Sequence, residues 1–107
     1  MVHESARMTD TLFRIEWRAT ARDDLRGIVR YIGKNNPARA KSFAQELRDK
    51  TQALAQHLEL GRKGRPGLPD WLRELVVHPN YIVFYRVRFE ERMVEILRVK
   101  HAAQQMP

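Results

Sequence analysis

Apolar positions recur along this chain with two different periods, and the changes of period divide it. From Leu12 to Trp17, Phe13, Ile15 and Trp17 share one parity while Arg14 and Glu16 take the other. That alternation predicts a strand with one buried face. Between Thr20 and Asn35 the spacing changes. Leu25, Ile28, Val29 and Ile32 follow the i, i+3, i+4, i+7 rule of one helical stripe. Thr20 or a neighbour is the expected cap, with Asp23 and Asp24 in the first turn, where the helix dipole favours carboxylates. Gly27 interrupts the pattern, either to admit a close neighbour or as a tolerated surface glycine. Asn36-Pro37 marks a boundary, with Asn36 as N-cap and Pro37 as first helical residue. Ala40, Phe43, Ala44, Leu47, Thr51, Leu54 and Leu58 then extend a second stripe toward a stop at Gly61. So short a link predicts an antiparallel helical hairpin. Lys41, Arg48, Lys50 and Glu46 lie off the stripe, on its solvated face.

From Gly61 to Asp70 the period vanishes. Three glycines, two prolines and three cations in ten residues predict a loop and not an element. Beyond it, three runs rich in Val, Ile, Phe and Tyr predict an antiparallel meander. The first starts at Trp71 or Leu72 and ends at Val77, before a turn at Pro79-Asn80. The second, Tyr81 to Val87, is apolar enough for burial on both faces. After a turn over Arg88 to Arg92, the third runs from Met93 to Lys100. There Leu97, Val99 and His101 share one parity, and Ile96, Arg98 and Lys100 the other. The expected class is α+β in the order β-α-α-β-β-β, a helical hairpin packed on a small, mainly antiparallel sheet. Residues 1–11 read as a flexible leader, with Met8 a second possible start, and residues 12–107 as a single domain.

Composition narrows the partners. The formal net charge of the 107 residues is +7, from 20 Lys and Arg against 13 Asp and Glu. Such a balance points to nucleic acid, an acidic protein or another anionic surface. There is no cysteine, which rules out disulfides and thiolate metal sites and fits a reducing cytoplasm. No apolar run approaches the roughly 20 residues of a membrane span. The histidines His3, His57, His78 and His101 lack metal-ligand spacing, and no cofactor is implied.

The candidate chemistry is cationic. Arg62, Lys63 and Arg65 make the glycine-rich segment a basic loop over a binding surface, although no Gly-Lys-Ser/Thr completes a nucleotide-binding loop. The meander adds Arg73, Arg86, Arg98, Lys100 and a terminal His101. Arginine stays protonated and can clamp an anion but is a poor base. Histidine as a residue type suits acid–base work near neutral pH, which makes His101 the candidate proton carrier. Trp17 and Trp71 are expected in core or hairpin–sheet packing. Tyr81 and Tyr85 share a strand face and could stack bases or pack inward.

The ordered motifs resemble the RelE/ParE superfamily of bacterial type II toxin–antitoxin toxins, closer to its ParE-like members. They are Ala21 with Asp24-Leu25, Ile28 and Tyr31-Ile32; then Ala40, Phe43, Leu47, Leu54 and Leu60-Gly61-Arg62. Arg73-Glu74-Leu75, Tyr81 through Val87 and Ile96 through His101 complete the set. The resemblance spans nearly all of Phe13 to His101. It implies a growth-arresting toxin, of the kind linked to plasmid stabilization, neutralised by a small cognate antitoxin, with which a hetero-oligomer is possible. ParE-like members poison DNA gyrase. RelE-like members cut mRNA on the ribosome.

Arg62, Lys63, Arg65, Arg86, Arg98 and Lys100 are candidates for binding the target or phosphate. Under the nuclease alternative, Arg73 and His101 are catalytic, with Arg65, Arg86, Arg98 or Lys100 holding phosphate. The segment after His101, Ala102 to Pro107, lacks the tyrosine that RelE-type nucleases place there, and Lys63 and Arg65 match their paired lysines only loosely. Leu58 stands where many relatives carry proline. A third reading is a non-toxic basic binding module, with these cations as solvated strand charges.

Overall fold

The computed structural model describes residues 12–103. The leader expected over 1–11 and the last four residues lie outside that range. Strand β1 is Arg14–Trp17, followed by helix α1, Ala19–Gly33, and helix α2, Pro37–Gln52. Strands β2 (Arg62–Lys63), β3 (Leu72–His78), β4 (Tyr81–Arg88) and β5 (Met93–His101) follow. They form one sheet in the order β1-β5-β4-β3-β2. β1 runs parallel to β5, and the other pairs are antiparallel. The expected class and element order are therefore present, with one strand added. Arg62–Lys63 has no apolar residue to signal a strand, yet it pairs through its backbone with Glu74 and Arg73.

The hairpin covers one face of the sheet. Phe43, Leu47 and Leu54 pack there against Leu75, Val77, Val83, Tyr85, Val94, Ile96 and Val99. A smaller cluster of Leu72, Ile82 and Phe84, flanked by Leu68 and Leu97, lies on the other face. The central strand β4 is thus buried on both sides, as its composition predicts. A register shift between Phe84 and Tyr85 sets Arg98 opposite the first and Ile96 opposite the second. Leu97 is the extra residue of a bulge, and the simple parity expected for β5 breaks there. Ile96 and Val99 therefore share the main core while Leu97 joins the opposite cluster.

Helix ends depart from expectation in instructive ways. Asn36 caps α2 as predicted, accepting the Arg39 N–H at 3.0 Å, with Pro37 following. α1, however, starts before Thr20, behind Arg18, and has no acidic residue in its first turn. The start is set by tertiary contacts: the Arg18 N–H reaches the Ile96 carbonyl, and its guanidinium pairs with buried Glu95. α2 stops at Gln52, well short of Gly61, and tightens into a 3₁₀ turn over Ala53–Ala55. That turn buries Leu54 and brings the Ala55 carbonyl to the Phe13 N–H at 3.1 Å. Lys50, expected to be solvated, donates to the Val77 carbonyl at 2.7 Å.

Candidate functional site

Gly61 serves a close approach instead of a helix stop. A Cβ there would lie 2.5 Å from the Glu74 carbonyl oxygen and 2.7 Å from the Tyr85 ring, so only glycine fits. The contact lets Tyr85, fully buried, act as a hub. Its hydroxyl donates to the Leu58 carbonyl at 2.9 Å and accepts the Gly61 N–H at 3.0 Å. Arg73 leans on the same hub, its Nε 3.3 Å from the hydroxyl and its Nη2 2.6 Å from the Gly61 carbonyl. Tyr85 is therefore a core residue and offers no stacking face.

The basic loop begins at this hub. Arg62 and Arg65 both approach Glu74, on β3, at 3.6 Å. Lys63 is exposed and has no side-chain partner among the described residues. Arg86 stacks over Trp71, its guanidinium 4.7 Å from the ring centroid, a cation–π geometry. Trp71 is 47% exposed, which corrects its expected place in the core. Arg73, Arg86, Trp71, Asp70, Phe89 and Leu58 line one cleft of about 390 Å³.

The remaining candidates lie on β5. Arg98 makes two bonds to Asp24, at 2.8 and 3.1 Å, and that carboxylate raises the guanidinium's already high pKa further. Asp24 also accepts the Val99 N–H at 2.9 Å. Its role follows from topology. β1 pairs with β5 only as far as Ile96, so the open edge beyond needs another acceptor. Lys100 and His101 line a groove with Asp23, Gly27, Tyr31 and Tyr81 beside α1. The His101 ring stands edge-on to Tyr81 at 5.2 Å, and its Nδ1 accepts the Ala103 N–H at 3.1 Å.

Register fixes the distance between the two catalytic candidates. Arg73 is opposite Tyr85 on β4, His101 is opposite Tyr81, and their strands flank β4. Ideal strand spacings then separate their Cα atoms by about 16 Å. The structure thus gathers Arg62, Lys63, Arg65, Arg73 and Arg86 on the β2–β4 side, and Arg98, Lys100 and His101 on β5, where Arg98 is level with Arg62 and His101 lies toward the far end. Sequence reasoning missed Glu74, Tyr85 and Asp24 as organisers. Of these only Glu74 left a signal, a carboxylate sharing the parity of Leu72 and Val76 on a strand. Among the described residues no three His, Asp or Glu side chains gather as a metal site, and no helix is long and apolar enough to cross a membrane.

Comparison with known proteins adds an independent line. Residues 15–106 match the family model for the ParE toxin of the type II toxin–antitoxin system ParDE. The chain is 40% identical over 87 residues to Toxin RelE2 of Caulobacter vibrioides, covering 81% of this chain and 90% of that protein. It is 39% identical over 95 residues to Putative toxin Y4kP of Sinorhizobium fredii, covering 88% and 93%. In fold, it resembles a chain of the chromosomal ParDE system from P. aeruginosa, with TM-score 0.71 and 22% identity over 85% of this chain and 97% of that one. A chain of the RelBE2 toxin–antitoxin complex from Mycobacterium tuberculosis gives TM-score 0.59 and 24% identity, covering 88% and 95%.

Proposed function

This chain belongs to the ParE toxin family of type II toxin–antitoxin systems, and from that premise we propose that it poisons DNA gyrase by binding, under the control of a small cognate antitoxin. The observation that carries this reading is the separation of Arg73 from His101. A proton carrier works within hydrogen-bond reach of the atom it serves. Here the two groups that RNA cleavage would enlist are two strands apart and four register positions out of line. Arg73 is also committed to Gly61 and Tyr85. A binding poison needs no such pair. It needs a shaped, cationic surface, and the side carrying Arg62, Lys63, Arg65 and Arg86 supplies one. The net charge of +7 suits an acidic antitoxin segment. Gyrase is cytoplasmic, and the proposed site of action is the cytoplasm.

The name Toxin RelE2 carried by a 40% identical relative favours a second reading, ribosome-dependent mRNA cleavage. One experiment separates the two. Purified protein is added to gyrase with relaxed plasmid, and in parallel to ribosomes carrying mRNA. The proposal expects lost supercoiling, intact mRNA and rescue by the neighbouring antitoxin. Cleaved mRNA with undisturbed gyrase transfers the function to the second reading. Expression without growth arrest removes both.

A further inference from the structure

The basic segment made of β2 and the loop after it carries Arg62, Lys63 and Arg65, and its two arginines turn back toward one buried group. Glu74 is 1% exposed, on the sheet face away from the hairpin, opposite Phe84. Its Oε2 accepts the Arg65 N–H at 3.1 Å and lies 3.6 Å from Arg65 Nε. Its Oε1 lies 3.6 Å from Arg62 Nη2 and accepts no hydrogen bond among the described residues.

A carboxylate taken out of water is strongly unfavourable unless positive charge and donors replace the lost solvent. Here every such replacement comes from the segment Arg62 to Arg65. The dependence is mutual. β2 is two residues long, and the loop beyond it is otherwise held by the Gly64 N–H on the Leu72 carbonyl and by Leu68 against the small apolar cluster. Backbone pairing with β3 places Arg62, but without the Glu74 carboxylate little would hold the two guanidinium groups together.

We propose that Glu74 is a positioning residue, the buried counter-ion that fixes the basic loop and aims Arg62 and Arg65 at an acidic face of the target protein. This rests on the reading of the loop as target-facing. The geometry suits the role because the arginines are directed but not saturated. Their side chains stay 67% and 42% exposed, and at 3.6 Å each guanidinium keeps donors for an outside carboxylate. Binding then starts from an ordered pair of cations instead of two free rotors, and preorganisation of this kind strengthens association.

Glu74→Gln separates positioning from folding. Its amide oxygen can still accept the Arg65 N–H, while its NH₂ faces the Arg62 guanidinium and removes the attraction. The expected result is a folded protein whose Gly64 and Arg65 amides exchange faster with solvent. Its potency against gyrase falls about tenfold, within the coupling range of one ion-pair network. In an Arg62→Gln, Arg65→Gln background the same change should add nothing. An equal loss of potency in both backgrounds, or unchanged amide protection, overturns the proposal. If Glu74→Gln does not fold, the Arg62→Gln, Arg65→Gln protein decides: unchanged protection of the Gly64 amide together with unchanged potency overturns it. If the parent chain leaves gyrase untouched, the target reading fails, and amide exchange still decides whether Glu74 orders the loop.

Discussion

The hydroxyl of Tyr85 accepts the backbone N–H of Gly61 at 3.0 Å, under the hairpin and away from solvent. The same oxygen meets Leu58 and Arg73, so one phenol ties the end of the helical layer to the strand carrying the candidate arginine. Tyr85→Phe keeps the ring and removes the hub. A buried donor or acceptor left without a partner costs about 1–3 kcal/mol. We expect Tyr85→Phe to lower unfolding stability by about 2 kcal/mol, measured by denaturant titration. An unchanged midpoint would show that water replaces the hydroxyl.

The two glycines singled out in the sequence should respond in opposite directions. At Gly61 a methyl group meets backbone oxygen at 2.5 Å and cannot be accommodated by a rotamer change. Gly61→Ala is expected to destabilise by about 1–3 kcal/mol through overpacking and to disturb Arg73. At Gly27, inside α1, nothing lies within 4 Å of an added Cβ. Gly27→Ala should stabilise by up to about 1 kcal/mol through helix propensity. Thermal melts of both variants check the pair, and a Gly27→Ala protein that melts lower would contradict the open space beside the helix.

These contrasts show what the sequence makes legible. Alternation and helical spacing are local, so the hairpin, β4 and β5 can be read from Phe43, Leu47, Val83 and Ile96 directly. β2 cannot, because Arg62 and Lys63 bury nothing and are held by Glu74 and Arg73, twelve and ten residues on. Leu54 continues the helical stripe although the chain there is 3₁₀, because burial rewards the same side chain in either geometry. The basic residues of the candidate site were all visible. Their distribution over the sheet was not, since it follows from strand order, register and a bulge.

Tyr81 carries the clearest pH signature. Burial raises its phenol pKa above the ordinary 10.0, and the charge of Tyr31 adds to the shift. Its ring packs edge-on against Phe43 and His101. The unfolded phenol ionises at about pH 10, while the folded one resists. Its contribution to stability is therefore whole below pH 10 and is lost as pH rises through the folded value. Phenolate absorbance of the parent protein and of Tyr81→Phe should differ by a late-titrating step, and the variant should lose less stability in alkali. A Tyr81 step at or below the ordinary value would sink this account.

Asp24 offers the sharpest test of how the sheet edge is closed. Its carboxylate takes two bonds from Arg98 and one from the Val99 N–H, at an edge that β1 has already left. The side chains are 29% and 16% exposed, so the pair is only partly screened by water. Asp24→Asn keeps an oxygen for the Val99 N–H but removes the charge facing Arg98. A hydrogen bond to a charged group contributes about 1.5–3 kcal/mol, so Asp24→Asn should cost about 2 kcal/mol and Asp24→Ala more. The excess of Ala over Asn then measures the edge acceptor alone. A double-mutant cycle with Arg98→Gln isolates the ion pair, and its coupling should fall as salt is added. If Asp24→Ala and Asp24→Asn are equally mild, the β5 edge is closed by solvent and the helix contributes packing only.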